Sequence, residues 1–258
     1  FGPIVQGLER ALRQHQMLSL VVQTPAAPEE RRDLILALAN RQVSGLLILA
    51  AESGDPMLEA AKSRKLPAVL VNRGSGDRDY PSVVNDDRES VRLVLEHLMS
   101  LGHRSIAHIA GPSTSSTGQA RRDAFVDIAR AMGLEHSAVV EASAFTRVAG
   151  QEATEKLLRS GAKPTAIFGA NDLIALGALD VLNAKGIVVP REMSLVGHND
   201  MPLVDLVSPP LTTVRVAVEQ MSEHAAALFL ETLRKPELAP STRVLMPSLV
   251  VRKSTAAI

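Results

Sequence analysis

Short apolar runs rich in Val, Ile and Leu recur along the chain, and longer stretches of helical periodicity separate them. The runs do not alternate apolar with polar positions, as a strand with one wet face would. Apolar strands that alternate with helices are typical of parallel sheets covered on both faces. We therefore predict two α/β lobes, each with a doubly wound parallel sheet, with strands at residues 18–24, 43–50, 67–73 and 82–85 and at residues 105–111, 138–143, 165–172 and 193–200.

Helical periodicity is clearest in residues 28–42, 86–103 and 218–233. In the second of these, Asp86 or Asp87 is the expected N-cap, and Gly102 stands where a left-handed C-cap is needed. The third stretch is amphipathic, which predicts a helix packed on a sheet or at an interface.

No Gly/Ser-rich or Pro-rich linker separates the two sets of strands, and two more β-rich stretches, residues 211–217 and 244–251, follow them. A chain that runs through one lobe, then the other, then back would have this pattern. We predict an N-terminal lobe of residues 1–84 plus 215–245 and a C-terminal lobe of residues 85–214 plus 246–258.

Composition narrows the function classes. The 28 basic residues balance the 28 acidic ones, so this segment is not expected to grip DNA phosphates itself. Cysteine is absent, which excludes disulfides and thiolate metal sites. No apolar run reaches the roughly 18 residues of a membrane helix, and no nucleophile elbow or zinc-protease motif occurs. We expect no membrane insertion, no cofactor and no enzymatic activity.

Polar groups follow the predicted strands directly, where ligands of open parallel sheets bind. They are amides, hydroxyls, a guanidinium and one aromatic ring, a set suited to a small polyhydroxylated molecule. They lie at Asn72 and Arg73, in the loop 111–118, at Phe145, at Asn171 and Asp172, and at His198, Asn199 and Asp200.

Each of these residues also has a structural interpretation. Asp172 and Asp200 are equally good N-caps, Asn171 fits a turn, and His198 fits a structural hydrogen bond. The loop 111–118 lacks the Gly-Lys-Ser/Thr ending of a phosphate-binding loop. Three other histidines have no carboxylate at a metal-ligand spacing, so we interpret them as structural: His97, His103 and His108.

Four segments resemble the LacI/GalR (lactose-repressor-like) family of transcriptional regulators: GHNDMPLVDLVSPPLTTVR, PTAIFGANDLIALG, HLMSLGHRSIAHIAGP and RRDAF. The resemblance spans the chain. It implies a type I periplasmic-binding-protein-like fold, a ligand cleft between the lobes, a small-molecule effector and a homodimer.

The resemblance also implies which residues contact the effector. Arg121 matches an arginine that pairs with ligand oxygens, Phe145 an aromatic that stacks on the ligand, and Asn171 the Asn of an Asn-Asp pair. Asn72 and Asn199 stand where the family usually has Asp, which favours tolerance of a carboxylate or phosphate on a sugar-derived ligand. The predicted site also contains Phe1, Arg73, Ser115 and His198.

Family members begin with a helix-turn-helix, a hinge helix and a first β-strand, which this sequence lacks. We expect such an upstream part to bind operator DNA and the protein to be cytoplasmic. The expected dimer contacts lie in the amphipathic helix, at Val218, Met221, Ala225 and Phe229. The alternative is a free-standing sugar-binding protein of a transport system, which shares the fold.

Overall fold

The computed structural model describes residues 1–52, 54–74, 79–134, 136–237 and 239–258. They form two compact units: unit 1 is Phe1–Asn85 with Ala217–Leu245, and unit 2 is Asp86–Val216 with Met246–Ile258. The chain passes between the units at residues 85/86, 216/217 and 245/246. The positions expected from the sequence were 84/85, 214/215 and 245/246.

Within the described residues, the elements follow one another along the chain as α1 (Gly2–Arg13), α2 (Pro28–Asn40), β1 (Leu46–Ile48), α3 (Pro56–Ser63), β2 (Ala68–Val71), β3 (Ser82–Asn85), α4 (Asp87–Ser100), β4 (Ile106–Ala110), α5 (Ser116–Ala131), β5 (Ala138–Glu141), α6 (Arg147–Arg159), β6 (Ala166–Gly169), α7 (Asp172–Ala184), β7 (Ser194–Asn199), β8 (Thr212–Arg215), α8 (Val218–Arg234), β9 (Thr242–Leu245) and β10 (Ser248–Val250).

Unit 1 contains a four-stranded sheet in the order β1-β2-β3-β9, and all of its strand pairs are parallel. Strand β2 is buried along its whole length, as its unbroken apolar sequence predicts. Helix α1 packs against α8, and α2 packs against α3. The helices therefore cover the sheet as two pairs.

The amphipathic helix α8 turns its apolar side chains into unit 1. Met221, Ala225 and Phe229 are buried there, and Val218 is half-buried. Three of the four residues expected at a dimer interface therefore offer no surface to a second chain, because packing against α1 and the sheet already occupies their apolar face.

The strand predicted at residues 18–24 is wrong. This stretch forms neither helix nor strand, and Leu18 is 95% and Leu20 71% exposed. A strand needs a neighbouring backbone for its hydrogen bonds. Strand β1, at the edge of the sheet, pairs only with β2 among the described residues.

Unit 2 contains a six-stranded sheet in the order β10-β8-β7-β6-β4-β5. Its pairs are parallel except for β10 with β8, which is antiparallel. Alternate residues of β4 enter different cores: Ile106 packs in a cluster with residues of α4 and α5, and Ile109 in a cluster with residues of α6 and α7. Each face of the sheet is thus covered by its own helix pair.

Local sequence signals fix the ends of the first helix in unit 2. Asp86 is the N-cap of α4, and its carboxylate accepts from the Glu89 amide at 2.8 Å. Gly102 follows the helix with φ +95°, the left-handed conformation that glycine adopts without strain. No helix in the described part of the chain combines the length and apolar character that a membrane crossing requires.

Candidate functional site

The carboxyl ends of β4, β6 and β7 lie side by side in unit 2, because these strands are parallel and β6 pairs with both of the others. The strands end at Ala110, Gly169 and Asn199. Most of the residues selected from the sequence lie on these strands' ends or in the segments that follow β4, β5 and β6: Ser115, Arg121, Phe145, Asn171, His198 and Asn199. The fold therefore gathers them at one edge of one sheet.

Arg121 is buried at this edge, with 3% of its surface exposed. Its Nε donates to Asp87 Oδ1 at 2.8 Å, and its Nη1 donates to the Ala170 carbonyl at 2.6 Å. Burial raises the pKa of the Asp87 carboxyl, and the nearby guanidinium offsets only part of that rise. The positive charge of Arg121 is thus already compensated inside unit 2.

Asp87 was not predicted as a site residue, since the sequence suggested for it only the role of a helix cap. Two adjacent carboxylates at a helix start were the available signal. Only one of them can be the N-cap, and Asp86 takes that position. Asp87 is left free to face α5, where it meets Arg121.

Phe145 and Asn171 lie together. Asn171 is the N-cap of α7, where its Oδ1 accepts from the Ile174 amide at 2.8 Å, and its Nδ2 lies 3.5 Å from the Phe145 carbonyl oxygen. The Phe145 ring covers Gly111 so closely that a Cβ there would lie 2.4 Å from ring atoms. Phe145 itself stays partly exposed, so one aromatic surface remains at the sheet edge.

The loop after β4 is poorly suited to phosphate. Glu141 Oε1 accepts from both the amide and the hydroxyl of Ser113, at 2.9 and 3.0 Å. A carboxylate therefore occupies the donors that an anion would need and repels the anion as well. The Ser115 hydroxyl is buried and lies 3.0 Å from that of Thr117.

His198 is fully buried on the α4/α5 face, where His108 stacks between Phe125 and Phe168 at centroid distances of 5.0 and 4.7 Å. Burial lowers the pKa of His198 well below its ordinary value, and the positive charge of Arg121 adds to this effect. Burial likewise lowers the pKa of His108 to about 4. Both rings are therefore neutral at pH 7.

Asp172 connects two strands to α7. Its carboxylate accepts from the Thr213 hydroxyl at 2.5 Å and from the Met201 amide at 2.8 Å. Burial raises its pKa from 3.8 to about 7, against these hydrogen bonds, which lower it. Its role is structural, but Asn171 and not Asp172 is the helix cap.

Asp200 is not a helix cap either. Its carboxylate bonds Arg215 Nε at 2.7 Å and Arg252 Nη2 at 2.6 Å. Asn199 and Asp200 have φ values of +113° and +51°, which residues other than glycine seldom adopt. Such strain at a strand end persists only where surrounding contacts fix it, and it is common at functional sites.

In unit 1, the structure brings together Phe1 and Arg73. The Arg73 guanidinium carbon lies 5.7 Å from the centroid of the Phe1 ring, within range of a cation–π contact. Asn72 adjoins them just after β2 with φ +69°. Phe1 is 56% exposed and Asn72 is half-buried, so both residues have surface available to a ligand.

The selected residues thus contribute hydrogen-bonding groups and aromatic surfaces. No group of three or more metal-ligating side chains occurs within residues 1–52, 54–74, 79–134, 136–237 and 239–258. Three other histidines make contacts inside unit 2: His97, His103 and His108. His103, for example, lies within hydrogen-bond distance of two hydroxyls, 2.8 Å from that of Thr165 and 3.0 Å from that of Ser194.

Comparison with known proteins identifies similar chains. The family model of the periplasmic binding protein-like domain matches residues 95–255. The chain is 34% identical to the HTH-type transcriptional regulator MalR of Streptomyces coelicolor, over 99% of this chain and 77% of the relative.

Two solved structures have the same fold. A complex of the transcriptional regulator CelR with cellobiose superposes with a TM-score of 0.90 at 30% identity, over 98% of this chain and 78% of that one. The lac repressor dimer bound to operator and the anti-inducer ONPF superposes with a TM-score of 0.89 at 25% identity, over 99% and 89% of the two chains.

The buried pair of Arg121 and Asp87 gives a first prediction. We expect Arg121→Met to lower the free energy of unfolding by about 3–5 kcal/mol, because the Asp87 carboxylate would stay buried without its partner. Urea unfolding of the purified chain measures this change. The neighbouring Arg122 is exposed, so Arg122→Met should stay within about 0.5 kcal/mol of wild type. Equal effects of the two substitutions would contradict the pairing.

Asp172 gives a second prediction, on pH. Its pKa is raised on folding, so between pH 3.8 and about 7 the folded state holds a proton that the unfolded state has lost. Its contribution to stability is therefore complete below pH 3.8 and is lost as the pH rises towards 7. The slope reaches about 1.4 kcal/mol per pH unit.

Asp172→Asn removes this titration. The free energy of unfolding of wild type minus that of the variant should therefore fall as the pH rises from 4 to 7, as measured by urea unfolding across the range. Asp123→Asn, at an exposed position, controls for the loss of one negative charge. A difference that stays constant with pH would show that Asp172 does not titrate in this window.

Proposed function

Because the chain belongs to the LacI/GalR family of transcriptional regulators, we propose that its strand ends bind a small neutral sugar or polyol that controls operator binding. The chain is the effector-binding region of such a regulator. The nature of the effector is the part that we infer from the site. The DNA-binding part that we expect upstream would carry the contacts with operator DNA.

One observation carries the choice of a neutral ligand: the charges at the sheet edge of unit 2 are already compensated. Asp87 neutralises Arg121, and Glu141 occupies the donors of Ser113. An anionic ligand would have to compete with Asp87 for Arg121 and would meet the repulsion of Glu141. The sequence-based expectation was a sugar-derived ligand on which a carboxylate or phosphate would be tolerated, and it counted both Arg121 and Arg73 as available charges; the pairing of Arg121 removes one of these two.

The remaining groups suit a sugar. Phe145 supplies a partly exposed ring for the apolar face of a pyranose or furanose, and Asn199 an exposed amide for its oxygens. The similar regulator solved with cellobiose supports the same ligand class. The alternative of a free-standing transport protein is less favoured, because these similar proteins are transcriptional regulators.

A ligand panel tests the proposal. We expect at least one neutral sugar among glucose, maltose, cellobiose and ribose to raise the melting temperature, while gluconate and glucuronate have no effect. A ligand present at 100 times its Kd should stabilise the folded state by about 2.7 kcal/mol. Stabilisation by the acids alone would overturn the choice of a neutral effector.

Variants then locate the binding. Phe145→Ala should weaken a sugar that binds by about tenfold or more in isothermal titration calorimetry, which corresponds to about 1.4 kcal/mol. Val148→Ala removes an exposed apolar side chain nearby and should leave the affinity unchanged. If both variants bind the sugar with the same affinity as wild type, the sugar does not bind at this edge of the sheet. With the intact regulator, the same sugar should change operator affinity in a gel shift.

We also propose that the protein is a homodimer, since the similar lac repressor was solved as a dimer and palindromic operators require two-fold symmetry. Met221, Ala225 and Phe229 cannot contribute, because unit 1 buries them. We expect sedimentation velocity at tens of micromolar to give the mass of two chains. The control variant Glu223→Ala, on the exposed face of α8, should have the same dissociation constant between the two chains as wild type. A monomer at that concentration would contradict this proposal.

A further inference from the structure

The end of β7 pairs a buried residue with an exposed one. His198 is fully buried among the side chains of the α4/α5 face, because it follows Val196 by two positions and so points to the same face. Asn199 is exposed, and its backbone has a φ of +113°. The two residues meet through a hydrogen bond between His198 Nδ1 and Asn199 Oδ1, 3.0 Å apart.

The direction of this hydrogen bond follows from the surroundings of the ring. A neutral imidazole carries one N–H, so only one of its nitrogens donates. His198 Nε2 is buried and has no hydrogen-bond partner among the described residues. An N–H on that nitrogen would therefore be buried without an acceptor, whereas Nδ1 lies 3.0 Å from Asn199 Oδ1, an oxygen that can only accept. The proton is therefore on Nδ1, and Asn199 Oδ1 accepts it.

This bond decides what Asn199 offers to a ligand. The bond to His198 directs its carbonyl oxygen towards the buried ring, so the group that faces outward at the exposed end of β7 is the amide NH2, with two donors. The aspartate that the family usually has at this position could only accept. We propose that His198 is a positioning residue that holds the Asn199 carboxamide with its NH2 outward, so that this subsite selects a hydrogen-bond acceptor on the effector.

The inference rests on the proposed function for its choice of ligand and narrows that choice. A sugar fits best if it places a ring, glycosidic or hydroxyl oxygen against the Asn199 NH2. An analogue with hydrogen in place of that oxygen leaves the donors without a partner and binds more weakly. The family pattern does not combine a buried histidine with an asparagine after it. In this chain the histidine fixes the orientation of the asparagine side chain, and the asparagine contacts the ligand.

The first test needs no ligand. In long-range 1H–15N correlation spectra of the histidine-labelled protein at pH 7, His198 should show a protonated Nδ1 and an unprotonated Nε2. His108 serves as the internal reference, because its Nδ1 lies 2.9 Å from the Phe168 carbonyl oxygen, which can only accept. A proton on Nε2 of His198 would overturn the inference whether or not a sugar binds.

The second test uses each neutral sugar that stabilises the wild-type protein in the panel. His198→Phe keeps an aromatic ring but lacks the donor, so the Asn199 amide is free to reverse. We expect its affinity for that sugar to fall by about tenfold, whereas His224→Phe, at an exposed position on α8, should match wild type. If His198→Phe does not fold, the tautomer measurement on the wild-type protein still decides.

The outcomes separate the two proposals. A panel in which no sugar binds would end the proposed function but leave the tautomer result standing. A sugar that binds wild type and His198→Phe within twofold, and that loses affinity in Phe145→Ala, would keep the proposed function and overturn the role of His198.

Discussion

Charge compensation inside unit 2 is the constraint on which the site depends. A guanidinium at 3% exposure is tolerable only with an anionic partner and satisfied donors, and Arg121 has both in Asp87 and the Ala170 carbonyl. These bonds connect the start of α4, the body of α5 and the chain after β6. One buried ion pair therefore holds the chain after β6 against two helices that the sheet alone does not connect to it.

The same constraint shapes the chemistry of the edge. Histidines 108 and 198 stay neutral because burial and the nearby guanidinium both oppose a second positive charge. Burial also raises the pKa of Asp172, to about 7, and the negative charge of Asp200 adds to this rise. The uncharged groups that face outward at this edge include the ring of Phe145 and the amide of Asn199. Specificity at such an edge comes from the direction of hydrogen bonds and not from attraction between charges.

Much of the fold could be predicted from periodicity, because a strand buried on both faces is almost entirely apolar, and β2 and β6 have no polar side chain. The prediction failed at residues 18–24, where an apolar stretch lacks a strand to pair with. An apolar pattern indicates that a segment can form a strand, but the strand forms only where another backbone lies beside it to accept its hydrogen bonds. For α8 the pattern correctly predicted a helix packed on a sheet or at an interface, but amphipathicity gives the existence of an apolar face and not the identity of what covers it.

The site was harder to predict than the fold, since its residues act through partners that are distant in sequence. Arg121 could be selected by its position, but its partner Asp87 lies 34 residues earlier in the chain. Because the two residues pair, the charge of Arg121 is not available to a ligand, contrary to the expectation from the sequence. Asn199 could be selected too, but its function depends on a backbone angle. Asp200 holds that angle through Arg215 on β8 and Arg252 beyond β10. A strained residue is kept in place by contacts that surround it. Thus the donor that Asn199 presents is a property of β7, β8 and the C-terminal segment together, and no stretch of the sequence contains it alone.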